Sequence, residues 1–268
     1  MSANTGAKVY LVGTAQYSDE SCEDVRSVIQ SVQPDIVVID LCKARANLLY
    51  VDEEIAKEAW NPNLDKSMKI IKSYGVRALL ALSRIHSLGM APGGVFITAS
   101  QEAKKISGCK VVLGDRPINI TLKRAFSTVG FWQRLKLFRN IMSTKEVVER
   151  LKKDRQDDVF SSLKVVRGFL TGGLTKEDME RFKDRDLLHS VLAEIADKFP
   201  GLYSVMINER DIFLAHALQV VADAMHRSRV SRISPGKVVG VVGIGHMPGI
   251  IEKWGTLTEE QVWAVLKV

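Results

Sequence analysis

The sequence has few cysteines: Cys22, Cys42 and Cys109 are the only three in 268 residues. An odd count without a close pair excludes a disulfide framework or a zinc ribbon as the basis of the fold, and it fits a reducing compartment. Long apolar runs are also missing, since no window approaches the roughly 18 uninterrupted apolar residues of a membrane span. The start, MSANTGAKVYLVG, lacks the apolar core of a secretory signal and leads directly into an expected strand. There is no repeat of solenoid length and no low-complexity tract, which removes solenoids and disordered tails from consideration.

What is present is an ordinary globular composition, 46% hydrophobic and 26% charged. The length suits one domain, or one domain with a large insertion. The net charge is +7 and the isoelectric point about 9.3. That balance is compatible with nucleic acid, an anionic membrane or an acidic substrate, and equally with basic residues scattered over solvated helix faces.

Two segments end in the same way. Residues 9–16 read VYLVGTAQ and residues 238–246 read VVGVVGIGH. Each is a strand-like apolar run closed by glycine, two small residues and a polar side chain. The spacing predicts strands at 8–12, 36–39, 110–115 and 238–242. Between the first two, Ser18 is placed to cap a helix with acidic residues in its first turn, where the helix dipole favours them. Its apolar stripe is Val25, Val28, Ile29 and Val32, and Pro34 and Asp35 end it. The IVVI run is apolar on both faces, as in buried parallel sheets. Helices are expected over 42–59 and 64–88, with Asn61-Pro62-Asn63 between them and a turn at APGG, 91–94. From about 117 to 235 only helices are expected, with capping-box starts at STKE, 143–146, and TKED, 175–178, and a break at Gly172-Gly173. The expected fold is α/β: a single domain over 1–268 with a mainly parallel central sheet, flanking helices and a large helical insertion.

In open parallel sheets, ligands bind beyond the carboxyl ends of the strands. Here those ends are GTAQ, IDLCKAR, LGDR and GIGH, which places Gln16, Asp40, Arg45, Asp115, Arg116 and His246 at one rim. The glycines are expected to let the backbone turn there and approach a ligand closely. A carboxylate with an imidazole can hold a divalent metal or perform acid–base chemistry. An arginine beside them can grip a carboxylate or an oxyanion. Plain alternatives stay open. Asp40 can cap the following helix, Asp115-Arg116 can be a turn with a local ion pair, and His246 can be structural. His86, His189, His216 and His226 fall in helical patterns and are read as structural or exposed. In NERD, 208–211, Glu209, Arg210 and Asp211 either project toward the rim or form a surface ion-pair cluster. Residues 122–142 mix Phe126, Trp132 and Phe138 with Lys123, Arg124 and Arg139, which suits a helix on an anionic membrane or a packed helix with a basic outer face. No nucleic-acid motif accompanies the charge, and nucleic acid is not expected as a partner.

Taken together, VYLVGTAQYS, QPDIVVIDLCKAR, LGMAPGGVF, LGDRPINITLKRAF, NERD and VVGVVGIGHMPGI resemble the TraB domain family across nearly the whole chain. That family includes bacterial pheromone-shutdown proteins and eukaryotic members that face the cytosol. Its fold and site are thought to be shared with Tiki membrane-associated proteases and, more distantly, with erythromycin esterase and haem-uptake proteins. The resemblance implies a metal-dependent hydrolase site built from two Gly-x-x-His motifs and a glutamate. The second motif falls on Gly243 and His246. The first falls on Gly13 and Gln16, where the family has histidine, and the glutamate falls on Asp40. Arg45, Asp115 and Arg116 match the accompanying blocks. The implied ligands of a manganese, cobalt or zinc ion are Gln16, Asp40 and His246. A glutamine amide is a weak ligand beside imidazole or carboxylate, so such a site would be degenerate.

Three functions follow as expectations. The first is a hydrolase acting through metal-activated water on a peptide or amide bond, with Asp40 and His246 on the ion and Arg45 and Arg116 holding the substrate or oxyanion. The second is a non-catalytic adaptor, intracellular and cytosol-facing, at a mitochondrial or endoplasmic-reticulum surface, anchored by a segment beyond Val268. The third is a nucleotide-binding enzyme using the glycines of 243–249 as a phosphate loop. Pro248 and the lack of a following strand weaken that loop as a dinucleotide motif.

Overall fold

The computed structural model describes residues 6–15, 19–50, 94–128, 192–193, 196–197, 200–228 and 236–268. Residues 51–59 of the helix expected over 42–59, the helix expected over 64–88, residues 129–142 of the basic stretch, the capping boxes at 143–146 and 175–178, the break at 172–173, and Ser18, His86 and His189 lie outside the described residues, as does Gln16.

Among the described residues four strands form one sheet: β1 (Lys8–Thr14), β2 (Ile36–Ile39), β3 (Lys110–Leu113) and β4 (Lys237–Gly243). All pairs are parallel and the order is β1-β4-β2-β3. The four expected strands are therefore present, β1 and β4 being slightly longer than the sequence pattern marks and β3 ending at Leu113. The last strand in the chain inserts between the first two, so the closing segment of the sequence sits at the centre of the sheet. The register sets Thr14 beside Gly243, and Ile39 beside both Val241 and Leu113. Strand ends from distant parts of the chain thus meet at one edge.

Each face of the sheet is covered by helices, as parallel sheets require. Side chains alternate across the strands. On one face Val37, Ile39, Val239 and Val241 pack against Val25 and Ile29 of α1 (Asp19–Val32) and against Val95, Phe96, Ala99 and Ala103 of α2 (Gly94–Lys105). Val28 and Val32 complete the predicted stripe, half-buried against the same core. α1 ends where Gln33 takes a positive φ of 50° just before Pro34. On the other face Val9, Val38, Val238 and Val242 meet Leu214, Ala215, Leu218 and Ala222. Each fully buried Val, Leu or Ile is worth about 1.5–3 kcal/mol over its exposed state.

The remaining α-helices with bounds among the described residues are α3 (Ile118–Thr128), a short α4 (Pro200–Tyr203), α5 (Glu209–Ser228), α6 (Met247–Lys253) and α7 (Glu259–Leu266). A five-residue π-helix, Ser204–Asn208, runs directly into α5. A 3-10 turn, Ile244–His246, links β4 to α6. α7 opens with a capping box between Thr258 and Gln261. Among the described residues no helix is long and apolar enough to cross a membrane.

Candidate functional site

β2 hands the chain to Asp40, which has no exposed surface. Its backbone N–H donates to Val241 O at 3.0 Å, which ties this residue to the neighbouring strand β4. Beyond β3, Asp115 donates its N–H to Leu41 O at 3.2 Å. Beyond β4, His246 closes the 3-10 turn and is buried. From three strand ends, then, two carboxylates and an imidazole are delivered to one rim. The shortest Asp40 to His246 approach is 4.0 Å, from Oδ2 to Nε2.

Arg210, the second residue of α5, joins them. Its Nε donates to Asp115 Oδ1 at 3.0 Å, one Nη donates to Asp40 Oδ1, and the other meets His246 Nε2 at 2.9 Å. A guanidinium has no acceptor. Nε2 must therefore accept, and the ring proton belongs on Nδ1, which donates to Asp211 Oδ1 at 2.6 Å. Asp211 thus orients the imidazole and Arg210 covers its free nitrogen. Arg45, in the 3-10 helix Lys43–Tyr50, donates to the second oxygen of Asp115. Its Nε is buried and has no hydrogen-bond partner among the described residues.

The electrostatics follow from this arrangement. Three carboxylates face two guanidiniums across buried ground. Burial alone would lower the Arg210 pKa, but the charges of Asp40 and Asp115 outweigh it and the net shift is upward. Burial pushes the Asp211 carboxyl up, and its bond to His246 only partly offsets that. Burial, with the nearby Asp211 charge, also raises the phenol of Tyr203.

Two glycines make this packing possible. A Cβ on Gly249 would lie 1.9 Å from Asp211 Oδ2, so the carboxylate sits where a side chain would be. A Cβ on Gly13 would lie 2.0 Å from Met247 Sδ. The space left by Gly13 is thus filled by a thioether from the block after β4, and not by a ligand, contrary to expectation. The two glycine-bearing strand ends pack against each other. Thr14 Oγ1 also donates to Val242 O at 3.0 Å, and Ala15 N to Ser21 Oγ at 3.1 Å, which fixes the chain up to the point where Gln16 follows.

Arg116 does not join the rim. It is fully buried, and its guanidinium donates to Thr121 Oγ1, Val265 O and Val205 O, each at 3.0 Å, and to Glu209. All three of its nitrogens serve internal acceptors and the side chain has no exposed surface, so Arg116 is not presented to a substrate in this arrangement. Glu209 also takes a two-pronged bond from Arg124. NERD therefore splits: Glu209 goes to an internal ion cluster, and Arg210 and Asp211 go to the rim. The sequence names these residues but does not choose between those destinations. Tyr203 carries no sequence signal at all. His216 lies part-buried within α5, in keeping with a structural role.

A divalent ion between Asp40 and His246 does not fit this donor arrangement. Arg210 already donates to Asp40 Oδ1 and to His246 Nε2. Among the described residues no group of three or more His, Cys, Asp or Glu side chains is arranged to hold a metal.

Comparison with known proteins agrees with the strand-end motifs. The TraB/PrgY/gumN family profile matches residues 2–262. The chain is 38% identical to the TraB domain-containing protein of Mus musculus and 37% identical to that of Homo sapiens, over 95% of its own length in both cases. It spans 64% of the length of those relatives. An uncharacterized protein of Methanocaldococcus jannaschii is 29% identical over 91% of this chain and 52% of its own length. The rim that gathers Asp40, Asp115, Arg210 and His246 is thus carried by a chain that belongs to the TraB/PrgY/gumN family.

Proposed function

We propose that the chain is a TraB-type hydrolase-like protein that cleaves a peptide or amide bond by acid–base chemistry at the rim. The observation that carries the reading is the ordered line Asp211, His246, Arg210, in which the imidazole is held at Nδ1 and presents Nε2 to a cation. When a carbonyl substrate enters, Arg210 turns a donor toward the carbonyl oxygen and uncovers Nε2. The imidazole takes a proton from an attacking water and later gives it to the leaving amine. Asp211 holds the ring throughout and steadies the imidazolium, and Arg210 and Arg45 face the oxyanion of the tetrahedral intermediate. Arg116 has no part in this reading. The metal-activated water implied by the family resemblance is replaced here by water activated at His246.

The test is hydrolysis of a quenched fluorescent peptide pool at neutral pH. The wild type is expected to turn over, and His246→Ala is expected to lose roughly 10²-fold or more. No wild-type turnover, with or without manganese, cobalt or zinc, sinks the reading, as does full activity in His246→Ala.

One observation favours a second reading, a non-catalytic binding protein at an intracellular membrane surface. Asp40, Asp115, Arg210 and His246 are paired with one another, which a folding element would need and an open active site would not. The basic stretch at 122–142, of which 122–128 are among the described residues, is the proposed membrane contact. Arg124 is poorly suited to it, being bound to Glu209 and to Lys267 O. Flotation with anionic liposomes that survives neutralisation of Lys123, Arg134, Lys136 and Arg139 counts against that contact.

A further inference from the structure

We infer that Arg210 is the resident cation of the rim: its guanidinium takes the place of a divalent metal between Asp40 and His246 and makes the site metal-independent. The inference deepens the hydrolase reading but does not need turnover to be tested.

Three observations carry it. First, each nitrogen of Arg210 is committed to a different strand end: Nε to Asp115 after β3, one Nη to Asp40 after β2, the other to His246 after β4. A metal bridging those elements would need the same oxygen and nitrogen lone pairs. Second, the flat, forked geometry of a guanidinium suits three acceptors set around one plane, which a lysine could not satisfy. Third, the group is held from below. Glu209, the preceding residue, is clamped between Arg116 and Arg124, and the π-helix ends immediately before it. The first turn of α5 is therefore fixed on both sides, which keeps Arg210 anchored to Asp40 and Asp115 even when one Nη leaves His246 Nε2 for a substrate. Charge agrees with geometry: the carboxylates of Asp40 and Asp115 raise the affinity of Arg210 for its own proton, so the cation is permanent. A permanent internal cation also provides what a metal supplies to an acyl-transfer site, a fixed positive charge at the developing oxyanion.

Removing the guanidinium should reopen the place it fills. Asp40, Asp115 and His246 Nε2 would then face only Arg45, and the charge deficit would draw these donors together around a hard or borderline divalent ion, with Asp211 still holding Nδ1. The experiment is titration of the folded protein with cobalt chloride, followed by visible absorption, and with manganese and zinc chlorides, followed by calorimetry. Wild type, Arg210→Ala, Arg210→Ala/His246→Ala, and wild type carrying only His246→Ala are compared. The wild type is expected to give no isotherm that His246→Ala abolishes. Arg210→Ala is expected to gain a one-to-one isotherm and a cobalt–imidazole absorption band, both lost in the double variant. Arg210→Lys, which keeps the charge but cannot fork, is expected to fold and to remain without a band. A wild-type cobalt band that His246→Ala removes overturns the inference outright. So does a folded Arg210→Ala protein that gains no ion. If Arg210→Ala does not fold, the wild-type titration alone still decides. Should peptide turnover be absent while these titrations come out as expected, the hydrolase reading fails and the resident cation stands.

Discussion

Glu209 lies between Arg116 and Arg124, and the next residue, Arg210, lies between Asp40, Asp115 and His246. The first cluster has two cations and one carboxylate, and it completes itself with backbone carbonyls: Val205 O, and Val265 O and Lys267 O at the end of α7. Those last carbonyls have no partner within their own helix and carry the negative end of its dipole. The surplus positive charge is absorbed there, and nothing titratable near neutrality remains. The second cluster has the opposite excess, three carboxylates to two guanidiniums, and it contains an imidazole. Adjacent residues of one helix thus head a lock and a site. What separates them is whether the leftover charge is answered by fixed backbone dipoles or by a group that can exchange a proton.

Breaking the lock is expected to have the largest effect. Glu209→Ala leaves two guanidiniums without their carboxylate, one of them with no exposed surface, and removal of one partner from a buried pair costs about 3–5 kcal/mol. Urea unfolding reads this directly. The loss should carry into the site, because α5 starts at this residue. A loss under 1 kcal/mol, or full stability, would mean that the backbone carbonyls alone can hold Arg116 and Arg124, and the contrast between lock and site would fail.

The two glycines sharpen the comparison at smaller magnitude. In Gly249→Ala the new methyl meets the Asp211 carboxylate, at 1.9 Å from Oδ2 and 2.6 Å from Cγ. The carboxylate cannot yield without leaving His246, so a cost of about 1–3 kcal/mol is expected. The low-field Nδ1 proton of His246 should vanish from the proton spectrum. In Gly13→Ala the methyl meets the end of the Met247 side chain, which is flexible and can swing aside. A cost under about 1 kcal/mol is expected there, with the His246 proton retained. Equal effects at both glycines would show that the Asp211–His246 bond is not the tight element proposed.

Much of this was legible from residue order. The alternation of Val37, Val38 and Ile39 marks a strand buried on both faces, and the Val25 and Ile29 spacing marks the buried side of α1. Both predict what packs there. The convergence of Asp40 and His246 follows from their places after parallel strands, although they are about two hundred positions apart in the chain. The partition of Asp115 and Arg116 was not legible. Arg116 finds Val205 O and Val265 O, acceptors that leave no trace in side-chain pattern. The same holds for NERD. A π-helix directly before Glu209 changes the angular register, so spacing along an ideal helix does not say which of Glu209, Arg210 and Asp211 faces the rim. Gln16 lies outside the described residues, just past Ala15.

The smallest effect, and the most diagnostic, is in pH. Burial would raise the Glu209 pKa, but the bonds from Arg124 and Arg116 prevail and the net shift is downward. Its contribution to stability is therefore complete above the ordinary glutamate pKa of about 4.3 and is lost as pH falls through the lower folded value. Asp211 moves the other way, because burial outweighs His246. The folded protein then holds the Asp211 proton more tightly than the unfolded chain does. Stability is lost as pH rises from about 3.9, the ordinary aspartate value, through the raised folded value. Glu209→Gln should flatten the acid limb of a stability–pH curve, and Asp211→Asn should flatten the weakly acidic side above it. Urea midpoints at closely spaced pH values separate the two. If both variants altered the same limb with the same sign, the lock and the site would share one electrostatic character, and the opposition between neighbouring residues of α5 would dissolve.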